Sequence, residues 1–264
     1  MKTNIKKLNL EDKETRLQYS KLLKSFENEF DYPLGDKKFF IKHGLNKDFD
    51  YFSFFEQMGE VHYFVAEENG VLIGAGCAIL RKINNVKTWY LCDFKISKGK
   101  RGSNILEKIM LKYFISMYLK CRKMIIVNMS SPLNNGLINK ICRLFKVFNL
   151  KIDELFFFEW NKKDIFKNNI DLNKFIIIHN KGKKDIVIEN KPYDIYHLVE
   201  KESNKDYSLF QTIQFDNIGR NDTIMWCSRY NDNVAELMKN KKPSTIGTIL
   251  TYGIMDNNFS SSEI

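Results

Sequence analysis

The sequence predicts an α/β fold of the α+β type: a mixed, mainly antiparallel central sheet flanked by helices, with a C-terminal α/β extension. Three patterns carry this expectation. Apolar residues recur at helical spacing near the start of the chain, three β-rich runs joined by short turns follow, and helix and strand then alternate up to Trp160. A strand reached through a helix is what a parallel neighbour in a sheet requires.

The elements follow in order. A short strand precedes a helix in which Leu17, Leu22, Leu23, Phe26 and Phe30 recur between Glu11 and Phe30, and Pro33-Leu34-Gly35 breaks the pattern. A second helical stretch covers Phe49 to Met58. From Val61 the period changes to that of a strand, and Asn69-Gly70 marks a hairpin turn before the returning run Val71 to Arg81. Thr88 to Ile96 makes a third strand, so the three form an antiparallel meander. Asn104 then opens a helix with Ile105, Ile109, Tyr113 and Met117 on one face. Lys123 to Met129 reads as a strand, Leu133 to Phe145 as a helix and Leu150 to Trp160 as a strand.

Residues 163–264 read as a C-terminal extension or small second domain beside a core of residues 1–162. There, Phe175 to Ile178 and Asp185 to Glu189 suggest a hairpin about Lys181-Gly182. Tyr193 to Lys201 and Asn231 to Asn240 suggest helices, and Thr223 to Cys227 and Thr245 to Met255 suggest strands. The lysines at 181, 183 and 184 read as a solvated turn.

Composition narrows the function. The 264 residues are 44% hydrophobic, enough for a sizeable core, and carry a formal net charge of +10. A basic surface favours anionic partners such as nucleotides or CoA. Nucleic acid is not favoured, because no nucleic-acid-binding motif accompanies the charge. Five widely spaced cysteines without a C-x-x-C pair argue against a disulfide framework and a zinc site, and the four histidines lack ligand spacing, so no metal is expected. With no signal-like or membrane-length apolar run, the expectation is a cytoplasmic protein.

The segment between the third strand and its helix, Ile96-Ser97-Lys98-Gly99-Lys100-Arg101-Gly102-Ser103-Asn104-Ile105, combines small residues with three cations at a helix N-terminus. Unpaired amides and the helix dipole suit a pyrophosphate there, and glycine lets the backbone approach it. With the order of elements, this segment resembles the GNAT acetyltransferase superfamily over roughly residues 1–160. In that family an Arg or Gln follows five residues after a strand-ending Val or Ile and opens the pattern Arg/Gln-x-x-Gly-x-Gly/Ala; Ile96 and Arg101 have this separation. Asn104 and Leu106 depart from the pattern where Gly, and Gly or Ala, are usual.

The resemblance implies an acyl-CoA cofactor, acetyl-CoA or a longer chain, held by the backbone of Phe94 and Ile96, the loop residues Lys98, Lys100, Arg101, Gly102, Ser103 and Asn104, and Asn134 or Asn135. It also implies an amine acceptor, a small molecule or a peptide; an acyl-carrier protein is an alternative donor. The family's base position falls on Cys92, one residue before Asp93. In an unbulged strand Asp93 points to the opposite face, whereas a bulge brings it round. Asp93 is thus either a catalytic base or an acid paired with a neighbouring cation. The tyrosine that protonates the leaving thiolate is replaced by Cys142 or Ile141, so Cys142 is either that acid or a buried structural thiol. The expected function is acyl transfer from a CoA thioester to an amine. The rival is a catalytically inactive GNAT-fold binding or regulatory protein. An oligomer is left open.

Overall fold

A computed structural model describes residues 3–34, 37–83, 85–128, 150–167, 170–201, 207–229, 242–253 and 259–263, together with 139, 141 and 143. In chain order it begins with β1 (Asn4–Lys7), α1 (Lys13–Phe26), β2 (Tyr32–Leu34), β3 (Lys37–His43) and α2 (Ser53–Glu56). The long strands β4 (Glu60–Glu68), β5 (Val71–Ile83) and β6 (Val86–Ile96) lead to α3 (Ile105–Lys120). Next come β7 (Met124–Asn128), β8 (Lys151–Trp160), α4 (Lys162–Lys167), β9 (Phe175–His179), β10 (Lys184–Ile188) and β11 (Lys191–Tyr193). The described strands finish with β12 (Ile195–Glu200), β13 (Thr212–Ile213), β14 (Thr223–Arg229) and β15 (Thr245–Tyr252). The fold is mixed α+β and mainly antiparallel, as the sequence predicts.

The chain divides into two compact units that do not follow a single cut in the sequence. The first comprises 1–81, 87–122 and 181–193; the second comprises 82–86, 123–180 and 194–264.

In the first unit, β1, β4, β5 and β6 lie side by side in that order, with β1–β4 and β4–β5 antiparallel. Asn69 and Gly70 both have positive φ, 50° and 77°, as a two-residue hairpin turn requires. Asp12 caps α1 by accepting from the Thr15 amide at 2.9 Å. Tyr19, Leu23 and Phe26 form the buried face of α1, while Leu17 is exposed. On α3, Ile105 and Ile109 of the expected stripe are buried and Tyr113 meets Phe64 at 4.4 Å; one turn on, the Met117 backbone carbonyl accepts from the Trp89 indole at 2.9 Å. Gly76 on β5 has no side chain because Phe94 fills that place; a Cβ there would stand 2.6 Å from the Phe94 ring.

A second sheet in the same unit has the order β11-β10-β3-β2, all antiparallel. Two of its strands come from residues 37–43 and 184–188, about 140 positions apart in sequence, a pairing that only tertiary structure can specify. The expected hairpin between 175–178 and 185–189 is therefore corrected: β10 pairs with β3 and β11, while β9 pairs with β12 and β13. The helix expected at 193–201 is likewise corrected to strand β12. Its Ile195, Leu198 and Val199 alternate with polar residues imperfectly, and pairing on both sides decides the conformation.

The second unit carries the strand order β7-β15-β8-β14-β12-β9-β13. Only the β12–β14 pair is parallel among the registers described. Its core gathers Phe158, Trp160, Ile165, Ile177, Ile224 and Trp226. The strands expected around 223–227 and from 245 are β14 and β15. The helix expected at 231–240 lies outside the described residues. No described helix is long and apolar enough to cross a membrane.

Candidate active site

Two features of the first unit converge on β6. The first is the loop that follows it. The Ser97 amide bonds back to the Ile73 carbonyl at 3.0 Å, and a single 3-10 turn covers Lys98–Lys100. Gly102 (φ 88°) and Asn104 (φ 55°) both adopt the left-handed region, which Gly enters freely and Asn better than most residues. Asn104 is the residue before α3, and its side chain makes no capping hydrogen bond. The first helical bond is from the Lys108 amide to the Asn104 carbonyl, so the amides of the first turn stay without an intrahelical partner. Arg101, Gly102, Ser103 and Asn104 are exposed.

The loop cations differ in their engagements. Lys100 is paired with Glu68 at 2.5 Å. Arg101 makes no hydrogen bond or ion pair among the described residues and stands open to an anion. Leu106, which the departure from the family pattern puts near the phosphates, is instead buried in the core at 8% exposure. Its side chain turns away from the loop surface.

The second feature is a break in the alternation of β6. Trp89 reaches Met117 of α3, and Ile96 lies against the same place as Ile105 of α3, beside Gly74. An odd and an even position thus share one face, so the alternation slips by one residue between them. The slip sits at Asp93, whose φ is 54°. This is the bulge that brings Asp93 to the face on which Tyr63 and Lys95 lie.

Behind that face sits a closed cluster of charges. Asp93 Oδ2 accepts from the hydroxyls of Tyr51 at 2.8 Å and Tyr63 at 2.5 Å. Its Oδ1 accepts from Lys95 Nζ, which also donates to Tyr51 at 3.0 Å and to Glu27 at 3.2 Å. Glu27, in the 3-10 turn after α1, takes the His43 amide at 3.1 Å and the His43 ring Nδ1. The Glu27, Lys95 and Asp93 side chains are 1%, 4% and 7% exposed.

Their protonation follows from this pairing. Burial pushes the Glu27 carboxyl up, but the His43 and Lys95 charges and the His43 hydrogen bonds outweigh it and bring it down to about 2. Burial pushes the Lys95 amine down, yet Asp93 and Glu27 hold it well above the usual lysine value. Burial raises the Tyr51 and Tyr63 phenols, and the Asp93 charge adds to that, so both stay protonated donors.

Lys184 borders the cluster from β10, opposite His43 in the register. It is half-buried, with its amine 4.7 Å over the Phe54 ring. Burial lowers its pKa to about 8; Asp93 and Glu27 oppose the shift, and Lys95 reinforces it. The expectation of a solvated turn is corrected here: Lys183 donates to Gln57 at 3.1 Å, and Lys184 lies half-buried over Phe54.

Among the sequence-predicted residues, Asp93, Phe94, Ile96, Lys98, Lys100, Arg101, Gly102, Ser103 and Asn104 therefore lie on β6 and its following loop. Cys142, Asn134 and Asn135 lie outside the described residues. The run Tyr51 to Phe55 packs as buried aromatic core, with Tyr51 and Phe52 at 0% exposure. Glu27, Tyr51, Tyr63, Lys95 and Lys184 escaped sequence reasoning. For Lys95 a signal existed, since it stands two positions from Asp93 on the same strand. For Lys184 none did, because its neighbours are lysines and its partners are remote. Among the described residues no group of three or more His, Cys, Asp or Glu is arranged to hold a metal ion.

Comparison with known proteins bears on the fold. No family model matches the sequence. An uncharacterised protein of Acanthamoeba polyphaga mimivirus is 24% identical over 225 residues, covering 78% of this chain and 64% of that protein. The match thus spans under two thirds of that relative's length. Among solved structures, a tandem GNAT protein from the clavulanic acid biosynthesis pathway superposes with a TM-score of 0.51 at 9% identity, over 97% of this chain and 100% of that one. Glucosamine-6-phosphate N-acetyltransferase from Arabidopsis thaliana aligns over 54% of this chain and 91% of its own, with a TM-score of 0.34 and 19% identity.

Proposed function

We propose that this chain, which has a GNAT fold, is an acyltransferase that moves an acetyl or longer acyl group from a CoA thioester to an amine by direct transfer. One observation carries the reading. The N-terminus of α3 has no side-chain cap, is reached through two left-handed residues and is flanked by the Arg101 guanidinium, which supports a pyrophosphate there. Lys98 adds charge from the same exposed loop. The backbone of Phe94 and Ile96 would align the pantetheine arm, and the acceptor is a small-molecule or peptide amine. An acyl-carrier protein is the alternative donor that the basic surface allows.

Titration calorimetry with acetyl-CoA and with a long-chain acyl-CoA tests the donor. Saturable binding that Arg101→Glu abolishes is expected, and release of free CoA thiol in the presence of amines should accompany it. No binding to either donor would remove the CoA-dependent reading.

The engagement of Asp93 favours a second reading. Its carboxylate already accepts from Lys95, Tyr51 and Tyr63, so taking a substrate proton would weaken an ion pair and two hydrogen bonds. A protein that binds acyl-CoA without turning it over would fit that arrangement. Retained affinity with no thiol release from any amine would select it.

A further inference from the structure

Amine acyl transfer needs a proton acceptor, since an ammonium has no lone pair with which to attack. The two buried carboxylates beside β6 are poor candidates. Asp93 is surrounded by three donors, and Glu27 is held by His43 and Lys95. Proton transfer to either would break an ion pair in a dry environment. His43 is only 3% exposed, its Nδ1 is taken by Glu27, and its Nε2 is enclosed without a partner among the described residues.

Lys184 differs on each count. It is the one amine of this group that reaches solvent while making no hydrogen bond or ion pair among the described residues. Its amine lies over the face of Phe54. It stands at the edge of β10, across from His43 and within the fields of Asp93, Lys95 and Cys92 of β6 and Glu27 of the turn after α1. Tyr51 from the segment before α2, Tyr63 of β4, Tyr32 of β2, Lys42 of β3 and Cys77 of β5 are the further titratable groups around the cluster. The attractive carboxylates are already matched by Lys95 and His43, so little remains to hold a second ammonium.

We propose that Lys184 is the catalytic proton acceptor for the amine substrate, placed beside β6 by the hairpin of residues 181–193. This rests on the acyltransferase reading. In the step, the neutral Lys184 amine takes one proton from the acceptor ammonium and becomes an ammonium itself. The freed lone pair attacks the thioester carbonyl carbon, the C–N bond forms and the C–S bond breaks. A second proton on the attacking nitrogen passes to the departing thiolate, giving amide and CoA thiol, and Lys184 returns its proton to solvent. A folded-state pKa near 8 leaves a usable fraction neutral at physiological pH, where an ordinary lysine is almost wholly charged.

Two measurements on the full chain test this. In the first, lysines are labelled with acetic anhydride across pH 6 to 11 and read by peptide mass spectrometry. Lys184 should reach half its maximal labelling rate near pH 8, about two units below the ordinary lysine value. A midpoint with the exposed lysines overturns the proposal whatever the activity.

In the second, thiol release from acetyl-CoA is followed across a panel of amines. Lys184→Met should lower turnover by about 10²-fold or more while acetyl-CoA affinity is unchanged, and Lys184→Arg should not restore it. Wild-type turnover in Lys184→Met, or recovery in Lys184→Arg, overturns the base role; recovery would mean that only the charge matters. If acetyl-CoA binds but the wild-type chain releases no thiol from any amine, the acyltransferase reading fails and the proposal falls with it. An early labelling midpoint would then record an unusual lysine without a catalytic task.

Discussion

Lys95 is the single cation that Asp93 and Glu27 share, so removing it should cost more than its own contacts suggest. Lys95→Met leaves two buried carboxylates competing for His43 and two phenols. The expected loss is about 3–5 kcal/mol in urea unfolding. The double variant Lys95→Met with Asp93→Asn should recover part of it, since one of the two stranded charges is gone. Acid should act through Glu27. Its folded pKa, about 2, lies below its ordinary value of 4.5, so its stabilisation is complete above pH 4.5 and is lost as pH falls toward 2. That contribution is on the order of 3 kcal/mol, and Glu27→Gln should flatten this part of the acid-unfolding profile. At this scale the sequence revealed little. Asp93 was visible as the lone carboxylate of its strand, and its pairing with a neighbouring lysine was one of two expectations. Its tyrosine and glutamate partners were hidden, because a buried polar network is assembled from separate elements and leaves no local period.

The meander, the loop and α3 were legible as elements because their signals are local: alternating residues, a turn dipeptide and one apolar stripe. The bulge at Asp93 was an open alternative, since no single residue type in β6 demands a left-handed backbone. Two glycines test the elements they belong to. Gly76→Ala drives a Cβ against Phe94, and thermal or urea unfolding should report a loss of about 1–3 kcal/mol. Gly102→Ala meets open space, so its cost comes only from a φ of 88°. We expect a destabilisation of about 1–2 kcal/mol with a weaker calorimetric affinity for acetyl-CoA, because the loop must leave that conformation. The second sheet was not legible. Its strands are short, lysine-rich and paired across a long stretch of sequence, so propensity had nothing to grip.

On the scale of the molecule, the cut expected at 162/163 and the compact units divide the chain differently. A shortened chain of residues 1–162 would lack β10 and β11 and expose the edge of β3. It should bind a hydrophobic dye and elute as soluble aggregates in size-exclusion chromatography, whereas the full chain should do neither. The strand order of the second unit was not visible in the sequence, because the C-terminal hundred residues carry few turn signals strong enough to order their strands. The late return of residues 181–193 also sets a timetable for synthesis. The ribosome must deliver the 58 residues of 123–180 after α3 before this unit can be finished. At about 5–20 residues per second, that is an interval of about 3–12 s in which the charged cluster has most of its members but not its covering strand. A nascent chain in this window presents a bare strand edge over half-dry charges. It is the moment at which a holding chaperone would find the most to grasp.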